Sequence, residues 1–247
     1  MGKKNFVVTD RDLKALYQMF RFKTVTTTDL HESFGKVHYS AVTRRLRKLE
    51  TLKLIRRSLT FDANKRASSL FALAPVGLNR LKTCGHPIVR NQIMSNYPEH
   101  DLRLVKLIKW LSGFKLIEKI ITENELLSLT THQEDESLKE FIDLRPDAVL
   151  LINLKGHTFK VALEYELHAK SQSRWKDKLL NYYMAGSIDA VLYFCESKTI
   201  ATKICEIDRE ISSNRKSKVF HFTLSESYFD LTKIVLTNSA GEEFTLN

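Results

Sequence analysis

Three acidic residues between positions 147 and 166 have the types and the spacing to bind a metal ion. Asp147 stands at the start of an apolar stretch, and Glu164 and Glu166 lie at the end of a second one. Residues two apart on a strand share a face, so Glu164 and Glu166 point the same way. If the two stretches pair as antiparallel strands across a hairpin turn at Lys155-Gly156, a bend at Pro146 sets Asp147 near both glutamates.

Carboxylates held that close repel one another and shift in pKa unless a cation lies among them. A hard divalent cation with oxygen ligands is the usual partner of such a cluster. Lys170 follows Glu166 by four residues and could reach the same cluster. The alternative is that these acids are solvated strand residues paired with nearby lysines.

Pro146-Asp147, a spacer and then Glu164-x-Glu166 resemble the metal-binding motif of the PD-(D/E)xK, or restriction-endonuclease-like, superfamily. Glu166 occupies the position that usually holds lysine. The basic helix that follows resembles more narrowly the replication-relaxation family and the MobC-type relaxases of mobilisable plasmids. That helix carries Lys170, Arg174, Trp175, Lys176, Lys178 and Tyr182.

The resemblance implies phosphodiester cleavage supported by Mg2+ or Mn2+, with Asp147 and Glu164 as metal ligands. It implies that Glu166 is a further ligand or the group that orients or deprotonates the attacking water. Lys170 would then supply the missing positive charge at the phosphate, and Arg174 and Lys178 would contact DNA. Superfamily members often add an acid from the first core helix, for which Glu99 and Asp101 are the candidates.

Aromatic residues of the same helix leave two questions open. Trp175 and Tyr182 fit a core position better than base stacking. A tyrosine nucleophile is not excluded by the sequence, and Tyr182 and Tyr183 are the nearest tyrosines to the predicted site.

Basic charge is concentrated in the first part of the chain. Residues 1–95 hold 19 Lys and Arg against 6 Asp and Glu, a net charge of +13, whereas the remainder carries −3 of the chain's total of +10. Such a block predicts a polyanionic partner that the N-terminal part binds.

The periodicity of the first 85 residues predicts three helices, two strands and a closing helix that begins at Pro75. This order resembles a winged helix-turn-helix, in which the third helix, about Tyr39–Leu52, enters the DNA major groove. The wing would reach the neighbouring backbone. The residues implied to contact DNA are Tyr39, Ser40, Thr43, Arg44, Arg47 and Lys48 on the helix, and Lys65 and Arg66 on the wing.

Together the two resemblances imply an α/β (α+β) protein: a winged helix-turn-helix over residues 1–85 and a restriction-endonuclease-like mixed sheet flanked by helices over 97–247. The predicted function is a site-specific endonuclease or nickase, namely a plasmid mobilisation relaxase at an origin of transfer. A catalytically inactive winged-helix accessory or regulator of replication or transcription is the alternative. Expected partners are double-stranded DNA, single-stranded DNA at the nick, and relaxosome or replication proteins.

Composition indicates an ordinary globular protein. The 247 residues are 43% hydrophobic and 28% charged, and no apolar run approaches the roughly 20 residues of a membrane span. The three cysteines are widely spaced, which argues against a zinc site and fits a reducing cytoplasm. We therefore expect a cytoplasmic protein without a signal peptide.

Overall fold

The computed structural model describes residues 7–61, 67–90, 92–225 and 227–247. The chain divides into two compact units, one comprising Met1–Val105 with Ser128–Thr130 and the other Lys106–Leu127 with Thr131–Asn247. No helix among the described residues is long and apolar enough to cross a membrane.

The first unit contains short helices around a small antiparallel sheet whose strand order is β1-β3-β2. In chain order the elements are α1 (Asp10–Phe22), β1 (Val25–Thr26), α2 (Thr27–His31), α3 (Tyr39–Thr51), β2 (Ile55–Phe61), β3 (Ala67–Leu73), α4 (Pro75–Thr83) and the start of α5 (Pro98–Leu111).

Local sequence signals account for where these helices begin. Thr9 and Thr26 each form a capping box with the acidic residue three positions on, so unpaired backbone N–H groups of α1 and α2 gain partners. On α3, Val42, Leu46 and Leu49 recur at helical spacing, which predicts an inward stripe, and all three are buried. The predicted turn at 62–65, with Lys65 and Arg66 on the wing, lies outside the described residues.

The second unit is built on a mixed sheet in the order β10-β9-β8-β7-β6-β5-β4. Its elements are the end of α5, β4 (Ile117–Thr122), α6 (Glu123–Ser128), α7 (Thr130–Gln133), α8 (Lys139–Leu144), β5 (Ala148–Leu154), β6 (His157–Glu166), α9 (Gln172–Met184), β7 (Ala190–Cys195), α10 (Lys198–Ile211), β8 (Val219–Thr223), β9 (Ile234–Asn238) and β10 (Glu243–Leu246). Thus the mixed α and β class is confirmed.

Strands β5 and β6 form the predicted antiparallel hairpin, and Leu154 pairs with His157 across its turn. Lys155 and Gly156 have φ values of 52° and 84°. Two consecutive positive φ angles match the type I′ turn that joins strands through two residues. This turn sets the register that places the end of β6 beside the start of β5.

After the hairpin, helices connect one strand to the next, and these strands therefore pair in parallel. Strand β6 pairs with β7, and β7 with β8, with α9 and α10 as the respective connections. One face of the sheet packs against these helices in a core that includes Val149, Ala162, Leu179, Val191 and Ile204.

The polar, acidic composition of residues 124–139 predicts a surface loop or short helix, and the structure confirms this only in part. It contains α6, α7 and a 3-10 turn at Glu136–Leu138, and Leu126 and Leu138 are buried in the core of the second unit. The acidic residues Glu134, Asp135 and Glu136 are exposed, whereas Glu125 is buried and accepts hydrogen bonds from Thr122.

Candidate functional site

The carboxylate site begins where β5 and β6 lie side by side. Ala148 pairs with Leu163, so Asp147 lies next to Glu164 on the neighbouring strand. The Oδ2 atom of Asp147 accepts a hydrogen bond from the backbone N of Tyr165 at 2.7 Å. The structure thus brings the predicted aspartate to the glutamate end of β6.

Glu164 is buried at 1% exposure and is held through both carboxylate oxygens. Lys178 Nζ donates to Oε2 at 2.6 Å, and the Tyr182 hydroxyl donates to Oε1. Burial raises the pKa of Glu164 to about 7, with Asp147 adding to the rise and Lys178 and Tyr182 opposing it. A carboxylate in this position is costly to ionise, so the surrounding charges decide its protonation state.

Glu166, two residues on, is equally buried at 1% exposure. Lys170 Nζ donates to its Oε1 atom at 2.6 Å across the turn that leads from β6 into α9. The predicted contact of Lys170 with the acidic cluster is therefore present.

Lys178 bonds to Glu164 and is influenced by the charges of all three acids. Burial lowers the pKa of Lys178, but Glu164, Asp147 and Glu166 together raise it above its usual value. It therefore stays protonated and partly neutralises the cluster. The sequence suggested that Lys178 contacts DNA; in the structure it lies against Glu164.

Helix α9 supplies these contacts because of how its apolar residues are spaced. Ser171 caps the helix by accepting from Arg174 N, and Trp175, Leu179 and Tyr182 are buried on one side. Residues at these intervals share a helix face. That face turns Tyr182 and the adjacent Lys178 toward β6, and burial confirms that Trp175 and Tyr182 are core residues.

The other basic and aromatic residues of α9 point elsewhere. Arg174 is exposed, and Lys176 Nζ pairs with Glu210 at 2.5 Å. The Tyr183 hydroxyl donates to Asp208 at 2.6 Å, and burial raises the pKa of Tyr183 to about 12. Of the two tyrosines that the sequence suggested as nucleophiles, only Tyr182 contacts a site carboxylate.

Two other buried side chains beside the site could not be selected from the sequence. Tyr193 pairs in register with Glu164 across the parallel β6–β7 ladder, and Cys195 pairs with Glu166. Burial raises the pKa of the Cys195 thiol to about 12, so it is a neutral neighbour. The parallel pairing that places them depends on the whole α9 connection, which no local pattern encodes.

Helix α3 presents the residues that the sequence suggested for DNA contact. Tyr39, Ser40, Arg44, Arg47 and Lys48 are exposed, with Tyr39 at 51%. Thr43 is half-buried and donates its hydroxyl to the backbone oxygen of Tyr39 at 3.1 Å.

Arg45, which the sequence did not single out, has a different role on the same helix. Its Nε atom donates to Asp12 Oδ1 at 2.7 Å, and its Nη2 atom donates to Asp12 Oδ2. Burial alone would raise the pKa of Asp12, but hydrogen bonds from Arg45 and Thr9 hold it below its usual value. Arg45 therefore joins α3 to α1 through Asp12.

Two further observations bear on metal binding. Among the residues that the structure describes, no group of three or more His, Cys, Asp or Glu side chains is placed to hold a metal ion. The predicted additional acids Glu99 and Asp101 lie in the first turn of α5, in the other unit.

Comparisons with known proteins give no relative: no family model, curated protein or solved structure matches the chain.

Proposed function

We propose that the chain is a metal-dependent, site-specific DNA endonuclease or nickase, a mobilisation relaxase that acts at a plasmid origin of transfer. The observation that carries this proposal is that Asp147, Glu164 and Glu166 lie at the same end of the paired strands β5 and β6, with Lys170 bonded to Glu166 and Lys178 to Glu164. Buried titratable clusters of this kind are concentrated at functional sites.

The order of helices and strands in each unit also supports the proposed function. The order α5, β4, β5, β6, α9, β7, α10, β8 agrees with the restriction-endonuclease-like core that the motif resembles, with α6 to α8 inserted after β4. In the first unit, three helices followed by an antiparallel strand pair agree with a winged helix-turn-helix.

The donor chemistry fits Mg2+ or Mn2+. Three carboxylates offer only oxygen ligands, which hard divalent cations prefer. When Glu164 is ionised, the three acids against Lys170 and Lys178 leave a net charge of −1, which attracts a cation. Asp147, Glu164 and Glu166 would hold the ion, with rearrangement of the lysine contacts.

When bound, such an ion polarises a phosphoryl oxygen and lowers the pKa of coordinated water. The chain's own residues supply the remaining requirements. Lys178 and Lys170 are positioned beside the acids to offset the negative charge that develops on the phosphate. Glu166 would orient the attacking water, and the exposed basic side chains of α3 would hold the DNA.

Cleavage of a supercoiled plasmid that carries a candidate origin, with Mg2+ or Mn2+, tests this function. We expect nicking by the wild type and a loss of at least about 100-fold in Asp147→Ala, because a ligand should matter at least as much as its supporting residues. Asp143→Ala, at an exposed position on α8, is the matched control and should nick normally. Equal nicking by Asp147→Ala, or none by the wild type across candidate origins, would overturn the proposal.

A second candidate is a DNA-binding accessory protein with an inactive core. It is favoured by the direct pairing of Glu164 with Lys178 and of Glu166 with Lys170, which neutralises the acids without a metal. Calorimetric titration with Mn2+ separates the two functions. Binding that Glu164→Ala abolishes supports the nuclease, whereas intact DNA binding without Mn2+ binding supports the accessory role.

A further inference from the structure

Two buried hydrogen-bond donors in the core of the second unit lack a protein acceptor. Within the described part of the chain, neither Trp175 Nε1 nor the Tyr193 hydroxyl has a hydrogen-bond partner. Trp175 is 1% exposed and Tyr193 is fully buried. A buried donor left unpaired is destabilising, and native proteins rarely retain one without an internal water or ligand.

The two donors belong to one region of the second unit. Both side chains are part of the core cluster between the sheet and α9. Tyr193 lies beside Glu164 in the β6–β7 register. Trp175 is on the same face of α9 as Tyr182, whose hydroxyl contacts Glu164.

The chemistry of the donors restricts what can bind them. An indole N–H has no lone pair to offer, so the ligand of Trp175 must be an acceptor and not a metal ion. An anion is disfavoured because Glu164 and Glu166 are its neighbours, and full burial excludes a large molecule. Water satisfies every requirement, since it accepts two hydrogen bonds and donates two.

We propose that Trp175 and Tyr193 bind an internal water site that donates hydrogen bonds to the Glu164–Glu166 carboxylate pair. The site gives both orphan donors an acceptor and gives the acids further hydrogen bonds. The water site does not require the acids to bind a metal, because the observations behind it concern only the metal-free chain.

Nuclear magnetic resonance of the 15N-labelled indole groups tests the site directly in EDTA. The chain has 2 tryptophans, so the spectrum contains two indole signals, and Trp175→Phe assigns them. Trp110 donates its indole N–H to the backbone oxygen of Leu231 at 3.0 Å and serves as the protein-bonded reference. We expect the Trp175 indole proton to show NOE and ROE cross-peaks to water of opposite sign, the mark of a long-lived bound water. Absence of these cross-peaks overturns the site.

Tyr193→Phe tests the second donor through stability. If the hydroxyl bonds to water, its removal should lower the folded-to-unfolded ratio about tenfold in urea unfolding, the ratio that corresponds to the removal of one hydrogen bond. Tyr183→Phe is the matched control, because it removes a hydroxyl with a known acceptor, Asp208. A Tyr193→Phe protein as stable as the wild type, or more stable, shows that the hydroxyl is unpaired and overturns its part in the site.

Discussion

Glu164 illustrates how one buried charge depends on several neighbours. Removing a carboxylate from water costs several kcal/mol, and a close, well-bonded cation is needed to offset it. Helix α9 supplies Lys178 and Tyr182, one turn apart, to the two oxygens of the same carboxylate. The side chain is therefore fixed in orientation before any ligand arrives.

The raised pKa of Glu164 predicts a pH dependence of stability. Its folded-state pKa is about 7, against an ordinary value of 4.5. Between these values the folded protein holds a proton that the unfolded chain has lost, so stability is highest at the acidic end of the window and falls as the pH rises through 7. Without metal, we expect a decrease on the order of 1–3 kcal/mol from this group, measured by urea unfolding from pH 5 to 8 in EDTA.

Glu164→Gln provides the comparison, since an amide of nearly the same shape does not titrate. Its stability should change less over the same pH range. If the two proteins lose stability in parallel between pH 5 and 8, Glu164 is not the titrating group.

At the residue scale, the sequence predicted which acids lie together on the paired strands, but it did not predict how deeply they are buried. Alternation placed Glu164 and Glu166 on one face, and the hairpin placed Asp147 beside them. Their burial was not predictable, because it depends on a helix that covers this face. The contact of Lys178 with Glu164 was not predictable either. The apolar spacing of α9 shows that the helix has a buried face, but tertiary packing decides which part of β6 that face covers.

At the scale of elements, the contact between α1 and α3 determines how the exposed basic face is presented. Asp12 completes the N-terminal capping box of α1 and also accepts from Arg45 on α3. One buried acid therefore fixes both the start of the first helix and the position of the third.

Adjacent arginines on α3 should have separable roles. Arg45→Ala leaves Asp12 buried without its cation, and we expect a loss of about 3 kcal/mol in the free energy of unfolding, measured with urea. Arg44→Ala, at an exposed position, should change stability by less than about 0.5 kcal/mol but weaken DNA binding. Equal stability losses in the two variants would contradict the assignment.

The sequence predicted the third helix as about Tyr39–Leu52 and the closing helix from Pro75, and the structure places them at Tyr39–Thr51 and Pro75–Thr83. The segment 124–139 was partly wrong for a physical reason. Helices of four to six residues, such as α6 and α7, are too short to show a 3.6-residue period. Their burial comes from the sheet beside them and not from any local pattern.

At the scale of the whole molecule, charge and acid chemistry belong to different parts of the chain. The net charge of +13 lies in residues 1–95, whereas Asp147, Glu164 and Glu166 lie in the second unit. This division is consistent with one unit that binds DNA and another that acts on it.

The salt dependence of DNA binding tests this division. Replacing Arg44, Arg47 and Lys48 with alanine should reduce the slope of log K against log salt by about 0.9 for each phosphate that is no longer neutralised. The control removes the same charge from exposed positions of the second unit, Lys198, Lys203 and Lys216, and should leave the slope unchanged. Equal slope changes in both variants would mean that DNA is attracted by net charge alone.

Asp147, Glu164, Glu166, both lysines and Tyr182 all fall within residues 147–182. A single recombination event could therefore carry this whole set of groups into another gene, provided that the recipient supplied a parallel strand to lie against β6. Inheritance of these 36 residues would then be independent of the basic N-terminal part, and the same cassette could occur beside unrelated domains.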